Sequence, residues 1–333
     1  MQDVLLYAFV ATALAFDFLN GFNDSANVVA TMISSRAMAP RRALLLSGVA
    51  HLVGPFLFGV AVATTIGHEV VAGYATTVPM VLAALLSAIV WNIFTWALGI
   101  PSSSSHALIG GLIGAAAAGY GFHAILLPGL TKVLLTLFVS PVMGFLAGHL
   151  LMKVVLFLAR GASPGINQFF KRIQTLTALA LSLSHGTNDA QKTMGIITMG
   201  LVAMGVLRQF VVPTWVIAAC AGAMALGTAL GGWRIIRTLG GKFYKIRPVH
   251  SFVSQVASTT VILGSALLGG PVSTTHVVST SILGAGSAER LSKVRWGVVR
   301  HIVVAWLLTI PATGLLGGLL YWVIERIGVP WVG

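Results

Sequence analysis

Charge is what this sequence has least of. Acidic and basic residues make up 8% of the 333 positions, against about 25% in a soluble domain. Hydrophobic residues reach 57% and mean hydropathy is +0.94, so a water-soluble fold is excluded and an integral membrane protein is indicated. Acids are scarcer than bases, 7 against 20, for a net charge of +13. That excess does not point to nucleic acid, because the Lys and Arg avoid the apolar runs and gather between them, where they set topology. The single cysteine, Cys220, excludes an intramolecular disulfide and argues against redox chemistry. No P-loop or Walker pattern is present, which argues against direct energisation by ATP. The start is poor in positive charge: Met1, Gln2 and Asp3 lead straight into Val4. A first transmembrane helix is expected there and not a cleaved signal.

Apolar segments run over 4–34, 43–64, 77–99, 104–119, 131–158, 174–203, 213–236, 250–268, 272–286 and 297–324. The first is about 46 Å long as a straight helix, against a hydrocarbon core of about 30 Å. It must tilt, break or extend beyond the bilayer. The segments 104–119 and 272–286 are short for a span. Each follows a Pro-Ser/Thr break, so each pairs with the segment before it as a re-entrant hairpin whose tip lies near mid-membrane. With the N-terminus outside, 16 of the 20 basic residues fall on the cytoplasmic side, in groups around Arg36–Arg42, Lys153–Arg172, Arg234–Arg247 and Arg290–Arg300. The positive-inside rule supports that orientation.

What the chain does have, it has twice. Asn20–Asp24 (NGFND) returns as His185–Asp189 (HGTND) 165 residues later, and Gly99–His106 (GIPSSSSH) returns as Gly269–His276 (GGPVSTTH) after 170. Two near-equal offsets imply a duplicated unit. The charge pattern makes one hairpin open outward and the other inward. The expected fold is therefore all-α and polytopic, an inverted-topology repeat with two re-entrant helical hairpins. Its parts are a first repeat over 1–160, a cytoplasmic connection over 161–172 and a second repeat over 173–333.

Asp17, Asn20, Asp24 and Asn27 share one helical face, as do their counterparts Ser182, His185, Asp189 and Lys192. A flanking stripe adds Asn23 in the first half and Ser184, Asn188 and Gln191 in the second. An ionised Asp at mid-bilayer costs about 2.5–3.5 kcal/mol. Keeping one at both equivalent positions argues for a cation at each, whereas Asp17, whose counterpart is Ser182, reads as readily as a helix-to-helix tie. Lys192 is either an anion ligand or the counter-ion of Asp189. Gly21 and Gly186 allow local unwinding or close helix approach; Gly110-Gly111 and Gly317-Gly318 read as packing surfaces.

The repeated tips have the logic of helix starts. Pro101 and Pro271 end the incoming helix. Ser103, Ser104 and Ser105, like Ser273, Thr274 and Thr275, supply caps and first-turn hydroxyls to half-helices whose N-termini favour an anion. Two such tips converging at mid-membrane make a neutral donor cage for a tetrahedral oxyanion, and cations at Asp24 and Asp189 complete the charge balance. His106 and His276 read as tip-fixing residues, with proton coupling as the sharper alternative. The residues alone thus reach an anion–cation symporter.

At these positions the chain resembles bacterial members of the inorganic phosphate transporter (PiT) family, through GFNDSAN (Gly21–Asn27), GIPSSSSH (Gly99–His106), HGTNDAQK (His185–Lys192) and GGPVSTTH (Gly269–His276). The resemblance implies secondary-active import of phosphate with Na⁺ or H⁺ across the bacterial cytoplasmic membrane, no enzymatic cofactor, and a homodimer in the lipid bilayer. It implies cation binding by Asp24 and Asp189, with Asn23, Asn188 and Asn27 beside them. Phosphate would be held by Ser103, Ser104, Ser105, Ser273, Thr274 and Thr275, with Asn23 and Asn188 at its edge. One departure stands out. Some family members carry intramembrane glutamates, but Glu69, Glu289 and Glu325 here fall in expected loops or near a terminus. Three alternatives stand beside this reading. A symporter of another oxyanion such as sulfate fits the same cage, but sulfate lacks the proton that a carboxylate would recognise on phosphate. An intramembrane Ser/His hydrolase is disfavoured because Ser105 and His106 point about 100° apart on a helix. A passive channel is the third: saturable, gradient-driven accumulation would exclude it, and ohmic conductance would favour it.

Overall fold

In lipid a chain satisfies its backbone by helix or by a closed barrel, and here it is helix. The computed structural model describes residues 2–327. Among these, twelve α-helices follow in order: α1 (Gln2–Ser34), α2 (Pro40–Leu57), α3 (Ala61–His68), α4 (Val78–Leu98), α5 (Ser104–Tyr120), α6 (Leu127–Leu158), α7 (Ile166–Ala203), α8 (Thr214–Leu230), α9 (Trp233–Gly241), α10 (Pro248–Leu267), α11 (Thr274–Glu289) and α12 (Trp296–Arg326). Four of them, α1, α4, α6 and α12, are long and apolar enough to cross a membrane, and the bent pairs α2–α3 and α8–α9 count as up to two more spans. Outward faces expose Leu150, Phe157, Leu315 and Leu319, which suits lipid and not water.

α7, the longest helix at 38 residues, is not among those four. Its middle carries Ser182, Ser184, His185, Asn188, Asp189, Gln191 and Lys192, all buried. It packs against α1, and the two run antiparallel. Thr193 donates to Asp17 at 2.9 Å near one end of the contact, and Ser35 donates to Gln174 at 2.7 Å near the other. Two apolar clusters flank the polar crossing. Phe9 and Phe16 of α1 share one with Met194 and Ile197 of α7; Ala26 and Met32 share the other with Ala178 and Leu181. Each helix thus enters through one cluster and leaves through the other, in opposite order.

Packing around this pair is reciprocal: α8 lies on α1 as α2 lies on α7, and α12 on α5 as α6 on α11. Small residues set the distances. A Cβ on Gly227 of α8 would strike the Phe18 carbonyl of α1, and one on Gly54 of α2 would lie 2.5 Å from the Leu183 carbonyl oxygen of α7. Gly21 and Gly186 serve close approach and not unwinding: helix continues through both, and a Cβ on Gly186 would come within 2.8 Å of His51 Cα. Gly111 and Gly317 also meet as packing surfaces, with 2.7 Å between a Cβ on Gly317 and the Gly111 oxygen.

The helix boundaries refine the sequence reading in three places. The segments 43–64 and 213–236 are not single straight helices but pairs bent by 78° and 68°. Gly59 (φ 78°) and Gly231 (φ 72°) take the left-handed conformation that stops α2 and α8. The backbone N–H groups freed at these breaks are met by the central helices. Gln191 Oε1 accepts from Val62 and Ala63, and Ser25 Oγ accepts from Gly232. Second, α1 is one unbroken helix of 33 residues, so a break is excluded. Third, α7 already begins at Ile166, so the later part of the 161–172 connection is helical and only 159–165 is not; past Pro164 and Gly165 nothing in the sequence interrupts a helix. The glutamates stand apart from the central helices. Glu69 pairs with Lys132 at 3.0 Å, and Glu289, last residue of α11, pairs with Arg247 and Lys293.

Gly227→Ala is expected to destabilise the protein by about 1–3 kcal/mol, because the opposing Phe18 carbonyl is backbone and cannot turn aside. Thermal unfolding in detergent should show a lowered midpoint, while Gly222→Ala on the same helix, with nothing within 4 Å, leaves it in place.

Candidate functional site

Each hairpin tip is built the same way. Gly99 (φ 66°) and Gly269 (φ 70°) turn the chain out of α4 and α10. In the first tip Ile100 N–H returns to the Thr95 carbonyl at 3.0 Å, and in the second Gly270 N–H returns to Ser265 at 2.8 Å. Both are the long bond of a Schellman closure. A proline follows, and then the cap. Ser103 Oγ accepts the His106 N–H at 3.1 Å, and Ser273 Oγ accepts the His276 N–H at 3.3 Å. Ser103 and Ser273 thus serve as N-caps through an oxygen lone pair, each keeping its O–H to donate, and the other four tip hydroxyls lie one and two residues on.

Those four converge on α1 and α7. Ser104 donates to Asn20 Oδ1 at 2.6 Å, and Ser105 donates to the Val272 carbonyl of the opposite tip at 3.1 Å. Thr274 donates to Asp189 Oδ2 and Thr275 to Asp24 Oδ1, each at 2.8 Å. Both carboxylates are thus held by one tip. Asn27 Nδ2 donates to Asp24 Oδ1 at 2.9 Å and to Thr275 at 3.0 Å. Lys192 pairs with Asp189 Oδ1 and donates to Ser105 Oγ at 2.6 Å and the Val272 carbonyl at 2.9 Å. Of the two readings for Lys192, the counter-ion of Asp189 is the contact present.

Asn23 Nδ2 bonds the Asn92 carbonyl and Asn188 Nδ2 the Gly270 carbonyl, each at 3.3 Å. The Oδ1 atoms of Asn23, Asn27 and Asn188 and the Oδ2 of Asp24 are buried without a donor. Asp24, His185 and Asp189 each place one ligand atom within 4.8 Å of the others. Carboxylate and amide oxygens in this number suit a hard cation such as Na⁺. Asp17, bonded to Thr193, stands about 10 Å along α1 from Asp24, two turns away. All these groups are sealed from solvent: Asp24 is 3% exposed, Asp189 0% and Lys192 1%.

His106 and His276 lie ring to ring at 4.4 Å, and His276 stacks on Trp306 at 3.8 Å. Trp306 Nε1 donates to the Pro101 carbonyl at 2.9 Å. The pair ties the two tips together, as tip-fixing residues would. Ser103 Oγ also lies 2.7 Å from His106 Nδ1, but the same oxygen is the helix cap. His51, whose ring lies 5.1 Å from His185, was not foreseen. It stands in α2, outside both repeated motifs, and carries no sequence signal. The capping role of Gln191 and the Val272 carbonyl at the centre were also missed.

A membrane-embedded helical protein whose buried polar groups meet between two half-helix tips is, by class, a transporter. The chain belongs to the phosphate transporter family, whose model matches residues 20–317. It is 44% identical to a probable low-affinity inorganic phosphate transporter of Bacillus subtilis (strain 168), over 97% of this chain and 98% of that one. It is 43% identical to a protein of the same description in Rhizobium meliloti (strain 1021), over 97% of each. Among solved structures it is similar to a sodium-dependent phosphate transporter, with a TM-score of 0.87 and 24% identity over 97% of this chain and all of that one. These proteins are transporters and not enzymes, so the hydrolase alternative is set aside. Each is described by phosphate, so the sulfate alternative finds no support.

Ser103→Ala and Ser273→Ala each remove a tip cap. Each is expected to cost about 1 kcal/mol, seen as faster hydrogen exchange at the start of α5 or α11, respectively. The opposite tip serves as the internal reference.

Proposed function

We propose that this protein imports inorganic phosphate with a coupling cation, Na⁺ or H⁺, across the bacterial cytoplasmic membrane by alternating access. The observation that carries the reading is that the hydroxyls of Thr274 and Thr275, on one tip, donate to Asp189 and Asp24. A cation on those carboxylate oxygens competes for the lone pairs and frees the hydroxyls to turn toward an oxyanion. The cation also offsets the repulsion between phosphate and the two acids. Anion and cation binding are then coupled through the same atoms. Ser103, Ser104, Ser105, Ser273, Thr274 and Thr275 would hold phosphate, with Asn23 and Asn188 at its edge. Asp24 and Asp189, with the unpartnered oxygens of Asn23, Asn27 and Asn188, would hold the cation. Ser103 and Ser273 contribute as caps that aim the half-helices.

The antiparallel α1 and α7 and the reciprocal packing around them support an inverted repeat, in which the hairpins open to opposite faces in turn. The N-terminus would lie outside. Sodium as the coupling ion is favoured by the name of the structural relative and by the oxygen-rich donor set. The homodimer that the family resemblance implies belongs to the same reading.

Phosphate uptake into proteoliposomes, with Na⁺ and H⁺ gradients imposed separately, tests this directly. Accumulation should follow one gradient and fall about 10- to 100-fold in Asp24→Asn, the loss of a charged partner worth about 1.5–3 kcal/mol. No uptake by folded protein under either gradient would overturn the assignment.

Alternating access predicts a second result. Single cysteines next to Ser104 and Thr274, in a Cys220→Ser background, should change accessibility in opposite senses when cation and phosphate bind. Parallel changes would rule out oppositely facing gates.

A further inference from the structure

The two halves match in shape but not in charge: Asp17 stands against Ser182, and beside the paired aspartates Asn27 stands against Lys192. At the 165-residue offset, Asp24 corresponds to Asp189 and Asn27 to Lys192; at the 170-residue offset, Thr275 corresponds to Ser105. The bridges made by these two side chains follow that correspondence. Asn27 Nδ2 bridges Asp24 Oδ1 and the Thr275 hydroxyl. Lys192 Nζ bridges Asp189 Oδ1 and the Ser105 hydroxyl. One half thus carries a neutral amide where the other carries an ammonium. Asn27 keeps an oxygen free of any donor, and so does Asp24. Asp189 has both oxygens engaged, by Lys192 and Thr274.

Resting on the symport reading above, we propose that Lys192 is a tethered cation: its ammonium fills the place beside Asp189 that an exchangeable cation fills beside Asp24. A buried carboxylate demands a positive partner. A lysine supplies it permanently, at no cost in cations drawn from solution. The pair Asp24–Asp189 carries two negative charges, and Lys192 removes one of them, so this pair takes up one mobile cation per cycle and not two. Lys192 therefore sets the cation-to-phosphate ratio. Asp17 lies two turns away, is bonded to Thr193, and is the same in every variant compared, so it drops out of the difference.

The variant to make is Lys192→Asn, which places in the second half the residue found in the first. The readout is phosphate accumulation at equilibrium in proteoliposomes whose potential is clamped with potassium and valinomycin, inside negative, with Na⁺ and pH equal on both sides. Net charge moved per phosphate is read without knowing which cation moves. One added charge raises the accumulation ratio tenfold per about 59 mV. Lys192→Asn should therefore accumulate tenfold further than the unaltered chain at that potential. Asn27→Lys, which tethers a cation in the first half as well, should fall tenfold short. Lys192→Arg keeps the charge and should match the unaltered chain. Each folded variant decides on its own. Equal accumulation in Lys192→Asn or Asn27→Lys, or a shift in Lys192→Arg, overturns the proposal. A raised KM for phosphate with unchanged accumulation in Lys192→Asn would identify an anion ligand instead, and equally overturns it. Failure of the unaltered chain to transport phosphate at all is a separate result, which strikes the phosphate reading and not the role of Lys192.

Discussion

Two aspartates buried at the middle of an apolar bundle are the constraint around which this protein is arranged. A carboxylate there has no water to solvate it, and every donor must come from the chain or from a bound ion. Asp24 and Asp189 are met by hydroxyls of a single hairpin tip, Thr275 and Thr274, and by the side chains three residues on in their own helices. The tip can reach both only because α1 and α7 cross beside it. Behind the crossing the neighbouring helices pack closely through glycines, Gly227 against α1 and Gly54 against α7.

The breaks in α2–α3 and α8–α9 belong to the same arrangement. A bent span in lipid exposes N–H groups that nothing in the bilayer can satisfy. Here Gln191 of α7 and Ser25 of α1 satisfy them, from the same turns that carry Asp189 and Asp24. Movement of the central helices would therefore pull on the bent pairs. The polar face of each central helix meets a hairpin tip on one side and caps a broken neighbour on the other. α7 carries the longer polar run of the two, Ser182 to Lys192, and is the one not apolar enough to qualify as a span.

Much of this was legible in the sequence, for physical reasons that differ from residue to residue. The tips were readable because Gly, Pro and Ser in that order have few other uses, and Gly99, Gly269, Ser103 and Ser273 adopt the turn and cap expected of them. The stripes were readable because polar side chains at helical spacing in an apolar run must face inward, as Asp17, Asn20, Asp24 and Asn27 do. The bends were missed because Gly59 and Gly231 sit within hydropathy that stays high on both sides, so a composition window passes over them. Pairing between helices far apart in sequence was not readable at all. Nothing in the chain announces that His51 faces His185, or that Lys192 reaches across to Ser105 and Val272. Those depend on the tertiary crossing and not on local pattern.

A duplicated architecture makes equal geometry easy and equal charge unnecessary. Two identical acid sites would place two negative charges, unrelieved, in one buried cluster. Their mutual repulsion in a poorly polarisable interior grows steeply as they approach. Asp24 and Asp189 each bring an atom into one cluster less than 5 Å across, which includes His185. At that separation the two cannot remain independent, and a cation entering beside one stabilises both. Placing a lysine in one half keeps the geometry of the repeat while lowering the charge that mobile ions must balance. The asymmetry includes Asp17 against Ser182, Asn20 against His185 and Asn27 against Lys192, on helices whose packing is otherwise reciprocal. Shape is thus held by small residues in both halves, and the charge around the paired aspartates by the side chains that differ.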